Sequence, residues 1–479
     1  MTPSNDSRTP PPGTKRPAPD NDRAISPPPL KRKAQAAISK TAVANFFTPT
    51  SQKAKERTIW SERSPDDDSP ATLLVAKYTP ETAASQGSDT AAKRRKIAAF
   101  DLDSTLITTA SGKRHSDDLA DWKWWHHSVP GRIRQLYNDE GYQVVIFTNQ
   151  GGLTLHPDPK SKGPKSAKNR VPAFKQKCNA VLGQLDIPIT LYAATGKDIF
   201  RKPRPGMWIE MKDDYNLADS DIDRENSVFV GDAGGRIAGA KGASAAAKDF
   251  SCSDRNLAHN IGIRYQAPEE FFLGEEPRDF SRDFDLSNFP FTEEGKEGGE
   301  RVEKTNKKDI VLFVGSPGAG KSTFYWKYLK PLGYERVNQD ILKRHDKCFK
   351  AAADFLQEGN SVLVSMIRPP ADLLLTDNTN PDVDTRSQWI ALARKHGVPI
   401  RCFWFRTPPQ LCEHNAAVRS LNKELNPEAR QALPRIALNG FASRFKEPRV
   451  DEGFQDIVPV DFKFRGTKEE YDIWGRYWV

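Results

Sequence analysis

A chain of 479 residues with 37% hydrophobic residues is too long for one core and too polar to fold throughout, so two to three domains and an unfolded part are expected. No apolar run approaches the ~20 residues of a membrane-spanning helix, and the amino terminus lacks the apolar core of a secretion signal. The net charge of +9 favours a polyanionic partner, and five cysteines in neither tight pairs nor metal-ligand spacing point to a soluble protein of a reducing compartment.

Residues 1–56 are rich in Pro, Ser, Thr, Lys and Arg with scarcely any apolar periodicity, which predicts a disordered basic tail. Its clusters Lys15-Arg16 and Lys31-Arg32-Lys33 flank a Pro-rich spacer, an arrangement that resembles a bipartite nuclear import signal; a nuclear location is expected. In "KTAVANFFTPT", Val43, Phe46 and Phe47 stand at the spacing of sliding-clamp-binding peptides, with Lys40 in place of their usual Gln.

Order is expected to begin near Thr58, with Trp60 and the strand-like "TLLVAKY". From Ile97 onward the apolar runs "IAAFDLD", "QVVIFTNQ", "ITLYAAT" and "SVFVGDA" alternate with helical stretches. The pattern predicts a doubly wound α/β domain with a buried parallel sheet over residues 57–278. Residues 279–308, which include a Gly-rich charged run, are assigned to a linker. A second doubly wound α/β domain then occupies 309–479, starting at "IVLFVG".

Four signals follow predicted strands of the first domain in order: Asp101-x-Asp103-x-Thr105, Thr148 in "IFTN", Lys202 in "FRKPRPGMW" and Asp232 in "FVGDAGGR". In open α/β sheets the site lies at the carboxyl ends of the strands, so all four can converge on one crevice. On a strand Asp101 and Asp103 would share a face, where like charges repel and raise at least one pKa.

This order resembles the haloacid-dehalogenase superfamily of aspartyl-phosphate phosphatases. The resemblance implies Asp101 as the nucleophile that takes up the phosphoryl group. It implies Mg²⁺ held by Asp101, the backbone carbonyl of Asp103, and Asp232. Asp103, kept partly protonated by its neighbours, would protonate the leaving oxygen and later activate water. Thr148 would hydrogen-bond the phosphoryl group, and Lys202, with Arg201 beside it, would neutralise charge. Where many members carry a further acid after the last Gly-Asp, this chain has Gly235 and Arg236; Asp254 in "DFSCSD" is the candidate to compensate. The gaps between motifs leave no room for a folded lid, and an uncapped crevice suits a polymer end better than a small metabolite. The basic loop "PDPKSKGPKSAKNR" could contact a phosphate backbone.

In the second domain "IVLFVGSPGAGKST" fits the P-loop pattern in full. Gly315, Gly318 and Gly320 let backbone N–H groups cradle the phosphates of ATP, Lys321 reaches the terminal phosphates, Ser322 ligates Mg²⁺, and Thr323 is expected among the ATP-binding residues. Asp340 in "GYERVNQD" stands where a general base for an acceptor hydroxyl is needed. "DNTNP" could position the acceptor, and "QLCEHNAAVRS" reads as a lid helix whose Arg419 clamps the phosphates.

Taken in order, "FDLDSTLI", "VVIFTNQ", "RKPRPGMW", "VGDAGGR", "DFSCSD", "GSPGAGKST", "VNQD", "DNTNP" and "EGF" resemble the polynucleotide kinase 3′-phosphatase family over residues 58–479. The resemblance implies an enzyme that removes 3′-phosphate from DNA ends at nicks, gaps and double-strand breaks, and phosphorylates 5′-hydroxyl ends from ATP. The recruitment mode of the forkhead-associated domain of animal members is not expected here, and a monomer is expected. Two departures concern the kinase half: Ser365–Thr376 reads as an insertion containing Pro369-Pro370, and Glu413 and Ala417 stand where relatives tend to have arginines. The residues alone leave open an RNA-end enzyme, a histidinol-phosphate-like phosphatase fused to a kinase, and a scaffold with degenerate sites.

Overall fold

A computed structural model describes residues 57–81, 93–113, 118, 121–156, 170–239, 247–292, 302–337, 345–365, 379–427 and 432–479. Both tail motifs, Asp340, Asp377, most of the basic loop and residues 366–378 lie outside the described residues. Residues Arg57–Val479 form one compact unit built on two separate main sheets. Among the described residues, no helix is long and apolar enough to cross a membrane.

The first sheet has seven strands: β1 (Thr58–Arg63), β2 (Leu73–Tyr78), β3 (Lys96–Phe100), β6 (Tyr142–Asn149), β7 (Ile189–Ala194), β8 (Val228–Val230) and β9 (Arg264–Gln266), while β4 (Ile107–Thr108) and β5 (Lys123–Trp124) form a small hairpin. Their spatial order is β1-β2-β7-β6-β3-β8-β9. The pairs from β7 to β9 are parallel, as expected. The edge departs from a purely parallel sheet, because β2 runs antiparallel to both β1 and β7.

Alternation explains how this sheet is buried on both faces. Ala98, Phe100, Val144, Ile146, Leu191 and Val230 pack with Ile133, Phe174 and Leu182 from helices Val129–Asn138 and Arg170–Leu185. Their strand neighbours Ile97, Ala99, Val145, Phe147, Tyr192 and Phe229 pack on the other side with Met207, Trp208 and Leu257 from helices Gly206–Asp214 and Ser253–Ile261. Successive strand residues point to opposite faces, so continuous apolar runs leave neither face to water. The chain moves from β3 to β6 on one side and later returns to β8 on the other. The reversal places a crevice at the carboxyl ends of β3 and β8.

The second sheet comprises β10 (Ile310–Val314), β11 (Tyr334–Val337), β12 (Ser361–Val364), β13 (Ile400–Phe405) and β14 (Ile457–Val460). Its order is β11-β12-β10-β13-β14, and every pair is parallel. One face covers helices His345–Gln357 and Val383–Lys395, and the other packs Phe324, Tyr325, Cys412 and Leu438.

The stretch assigned to a linker is structured over its described first part. Ser281 N–H donates to Gly235 O (2.9 Å) and Ile237 N–H to Asp279 O (3.0 Å), so this part is stitched to the first domain. Leu286 is buried, with Phe284 and Phe289 beside it, among Leu411, Val418, Trp474, Tyr477 and Trp478. Its aromatic residues, spaced among charges, carry no helix or strand period and were legible only as loop.

Candidate active sites

At the end of β3, Asp101 N–H donates to Val230 O (2.9 Å), fastening that strand to β8. Lys202 arrives from the loop after β7. Its ammonium, 1% exposed, lies 2.7 Å from Asp101 Oδ1 and 2.8 Å from Asp254 Oδ1. Asp254 is fully buried in the first turn of helix Ser253–Ile261, and its Oδ2 accepts from Ala233 N–H at 3.0 Å. A methyl group on Gly231 would stand 2.2 Å from Asp254 Oδ2, so only glycine lets this carboxylate approach the strand end. Asp101, Asp232 and Asp254 each bring a carboxylate oxygen to a common locus, all within 4.8 Å of one another.

The charges are unbalanced, with three carboxylates, Asp254 fully buried and Asp232 partly so, around one ammonium. Burial, then the charges of Asp101 and Asp254, push the Asp232 carboxyl up to about 8. Burial raises Asp101 to about 6; Lys202 opposes that rise and Asp254 adds to it. Burial pulls the Lys202 amine down, but Asp101 and Asp254 outweigh it and hold the amine above its ordinary value. Such a site resists carrying its own negative charge and would gain from a cation.

Asp103 stands differently from the strand-based expectation. β3 ends at Phe100, Ser104 takes a left-handed φ of 59°, and its N–H donates to Ile107 O (2.8 Å). The two-residue repeat therefore does not extend to Asp103, whose side chain is half-exposed. Among the neighbouring acids, Asp254 raises the Asp101 carboxyl most and Asp103 adds a smaller push, while Asp232 shares the cluster. Asp103 receives Gln150 Nε2 on Oδ2 at 2.7 Å, and Lys177 Nζ lies 3.6 Å from Oδ1. The same Gln150 amide reaches Thr148 Oγ1 at 2.9 Å, which ties the second motif to the first.

Asn149, the last residue of β6, clamps the backbone of Lys202. Its Oδ1 accepts from Lys202 N–H (2.9 Å) and its Nδ2 donates to Lys202 O (3.2 Å). Arg201 flanks the mouth beside Gly151. Arg236, which replaces the family's further acid, does not enter the carboxylate cluster: its guanidinium bonds Asp249 at 2.8 Å and Glu269 at 2.6 Å. Asn149, Gln150 and Lys177 escaped the sequence reading. The polar pair directly after Thr148, at a strand end, was a usable signal for the first two; Lys177, inside an ordinary helix, gave none.

In the second domain the P-loop leaves β10. Gly318 and Gly320 hold φ of 81° and 90°, and a methyl on Gly318 would meet Cys412 O at 2.3 Å. Lys321 is buried, with Nζ donating to Gly315 O (2.6 Å) and Ser316 O (2.7 Å). Ser322 Oγ accepts from Arg336 (2.9 Å), and Thr323 follows in the first helical turn. Asn380 Nδ2 donates to Phe313 O (2.8 Å), which sets the described part of "DNTNP" beside the P-loop strand. Fully buried Arg386 bonds both Glu452 oxygens at 2.7 Å and donates to Asn380 O and Pro381 O. The glutamate of "EGF" thus holds "DNTNP" in place. Helix Pro409–Leu421, read as a lid, packs against the P-loop: Leu411, Cys412 and His414 are buried, and Asn415 Nδ2 donates to Gly318 O (2.9 Å). Arg419 lies in its last turn.

Residues 96–272 match the family described as polynucleotide kinase 3 phosphatase, and residues 310–448 match an AAA domain. A bifunctional polynucleotide phosphatase/kinase of Schizosaccharomyces pombe is 36% identical over 94% of this chain and 100% of its own length. The chain belongs to the bifunctional polynucleotide phosphatase/kinase family. A putative bifunctional polynucleotide phosphatase/kinase of Acanthamoeba polyphaga mimivirus is 31% identical over 80% of this chain and 88% of that protein. A polynucleotide 3′-phosphatase of Saccharomyces cerevisiae, 30% identical, spans 37% of this chain and 87% of its own length. Membership of this family accounts for two phosphate-handling sites in one chain: a carboxylate cluster suited to phosphoryl transfer and a P-loop suited to ATP.

Proposed function

We propose that the chain heals DNA ends, removing 3′-phosphate at the first site and phosphorylating 5′-hydroxyl at the second. The observation that carries this reading is the buried cluster of Asp101, Lys202, Asp232 and Asp254 on the same chain as a complete P-loop.

At the first site Asp101 attacks phosphorus, a new P–O bond forms to its carboxylate, and the bond to the 3′-oxygen breaks. Asp103 gives that oxygen a proton. Water then attacks the phospho-aspartate, Asp103 takes up its proton, and inorganic phosphate leaves with Asp101 restored. Lys202 and Thr148 balance and orient the phosphoryl oxygens. An all-oxygen, buried and negatively charged set fits Mg²⁺; Asp101, Asp232 and Asp254 would hold it together with the Asp103 carbonyl. When bound it supplies positive charge to the phosphate oxygens. Asp103 remains accessible from solvent, and among the described residues the first two gaps between motifs hold, besides sheet strands β6 and β7, only the β4–β5 hairpin and helices Val129–Asn138 and Arg170–Leu185. Both features suit a polymer terminus.

At the second site the P-loop amides, Lys321 and Ser322 would bind the phosphates and Mg²⁺ of ATP. Asp340 would take the proton of the 5′-hydroxyl as the γ-phosphoryl moves to its oxygen, and Arg419 would steady the charge. The basic clusters of the tail support a nuclear location.

The test is a nicked duplex carrying 3′-phosphate and 5′-hydroxyl, with ATP and Mg²⁺, both termini being followed. Asp101→Ala should abolish phosphate removal and spare the kinase, and Lys321→Ala should do the reverse. Inertness of the unsubstituted protein on DNA, with turnover of RNA ends or histidinol phosphate, would overturn the reading.

A further inference from the structure

The loop that carries Lys202 is held from two sides. From within the first domain, Asn149 grips the Lys202 backbone. From the other side come the last residues of the second domain. Asn260, in helix Ser253–Ile261, uses its whole amide as a connector: Nδ2 donates to Pro203 O (2.8 Å) and Tyr477 O (2.7 Å), and Oδ1 accepts from Tyr477 N–H (2.8 Å). Arg204 Nε donates to Trp478 O (3.0 Å), while its Nη1 closes the loop on Lys197 O and Asp198 O, both at 2.7 Å. Pro203 and Arg204 directly follow Lys202 in the chain. The His259 ring packs edge-on against Tyr477 at 5.2 Å, and Arg282 covers the other ring contact at 4.9 Å.

This carboxyl-terminal segment is itself fixed to the kinase core. Tyr477 and Trp478 are buried with Leu411, Val418 and Trp474. Trp474 Nε1 donates to Asn415 Oδ1 (2.7 Å), its carbonyl accepts from His414 Nε2 (3.0 Å), and Asn415 donates to Gly318 O of the P-loop. A continuous line of packed and hydrogen-bonded groups therefore runs from the P-loop to the residues beside Lys202.

We infer that the carboxyl-terminal segment Trp474–Trp478 of the kinase domain is a positioning element of the phosphatase site, acting through Asn260 and Arg204 on the loop that carries Lys202. The need is physical. Lys202 must keep its ammonium between Asp101 and Asp254 at 2.7 and 2.8 Å, and misplacement of a catalytic group by about 1 Å can cost about a hundredfold in rate. A loop held from the first domain by Asn149 at Lys202 and by Asn260 at Pro203 gains a further hold from the tail, which fixes Asn260 and Arg204 in turn. The phosphatase of this chain thus depends on a structural part that lies, in sequence, beyond the whole kinase domain.

The inference rests on the phosphatase reading above, and the experiment separates the two. In the full-length protein, Asn260→Ala cuts the tie from the phosphatase side without touching the kinase core, Asn260→Asp keeps the shape and loses both donors, and deletion of Tyr477–Val479 removes the tie from the other side. Expected for all three is a fall of about tenfold or more in phosphatase kcat on a 3′-phosphate DNA end, with KM within about twofold. Hydrogen exchange should quicken at the backbone amides of residues 197–205. For the two Asn260 variants the kinase rate stays within about twofold. Asn260→Ala also removes the bond to Pro203 within the first domain, so support requires that the deletion, with its kinase rate retained, lowers phosphatase kcat as well, while the Asn260 variants suffice to overturn. Unchanged phosphatase kcat and unchanged exchange in Asn260→Ala would overturn the inference, as would equal losses of both activities. An unsubstituted protein with no phosphatase activity would refute the underlying reading.

Discussion

Replacing Asp232 by Asn should make the protein more stable at alkaline pH and inactive as a phosphatase. The carboxyl of Asp232 sits at about 8 instead of 3.8, first because it is buried and then because Asp101 and Asp254 face it. At about 1.4 kcal/mol for each pH unit, ionising it in the folded state costs on the order of 5 kcal/mol more than in the unfolded chain. An amide of the same shape still loses water on burial, so a gain of about 2–5 kcal/mol is expected. The sign follows from proton binding. Below about pH 4 the carboxyl is protonated in both states and the charge costs nothing. As pH rises from about 4 to about 8 the unfolded chain gives up the proton first, and native stability falls across that window. Urea unfolding in excess chelator at pH 3 and pH 8.5 reads the effect directly. Asp232→Asn should match the unsubstituted protein at the acid value and exceed it at the alkaline one, while phosphatase kcat drops by about a hundredfold or more and the kinase is spared. A variant less stable at pH 8.5, or one that gains equally at both values, would refute the idea that the site stores unfavourable charge.

Gly231→Ala should cost the phosphatase at least about tenfold in rate, because its methyl would lie 2.2 Å from Asp254 Oδ2; single-turnover assays on 3′-phosphate DNA check it, with the kinase as internal control. Glu452→Ala leaves the fully buried Arg386 guanidinium without its bidentate partner and should destabilise the second domain by about 3–5 kcal/mol, measured by urea unfolding. Saturating Mg²⁺ should stabilise the unsubstituted protein by about 2.7 kcal/mol at a hundred times its dissociation constant, and Asp101→Ala should lose most of that gain in the same titration.

Both parallel sheets were legible because their strands are buried on two faces and read as unbroken apolar runs. "QVVIFTNQ" and "IVLFVG" announce β6 and β10 with no help from context. β2 was visible as a strand-like run and β1 only as the place where order begins, and the antiparallel pairing of β1 on β2 and β2 on β7 is encoded by no local pattern. The site divides in the same way. Asp101, Thr148, Lys202 and Asp232 stand at ends of visible strands, so topology alone brings them together. Asp254 enters from a helix more than twenty positions after Asp232; only the family resemblance, with its further acid missing here, singled it out, and the room that Gly231 leaves for it emerges from the structure. Asp103 shows the converse: the two-residue repeat was carried past the last paired residue of β3, where the chain had already turned, yet the expected push of Asp103 on the Asp101 carboxyl is there. The tie between Asn260 and Tyr477 spans 217 residues and leaves no mark on either local sequence.

The most direct measurement is the chemical state of Asp101 during turnover. Rapid denaturation of the protein in the presence of a 3′-phosphate DNA end, followed by borohydride reduction and peptide mass analysis, should find Asp101 converted to homoserine, and no such product in Asp101→Asn. Turnover without any modified peptide at Asp101, or with the label on another carboxylate, would contradict transfer of the phosphoryl group to this residue.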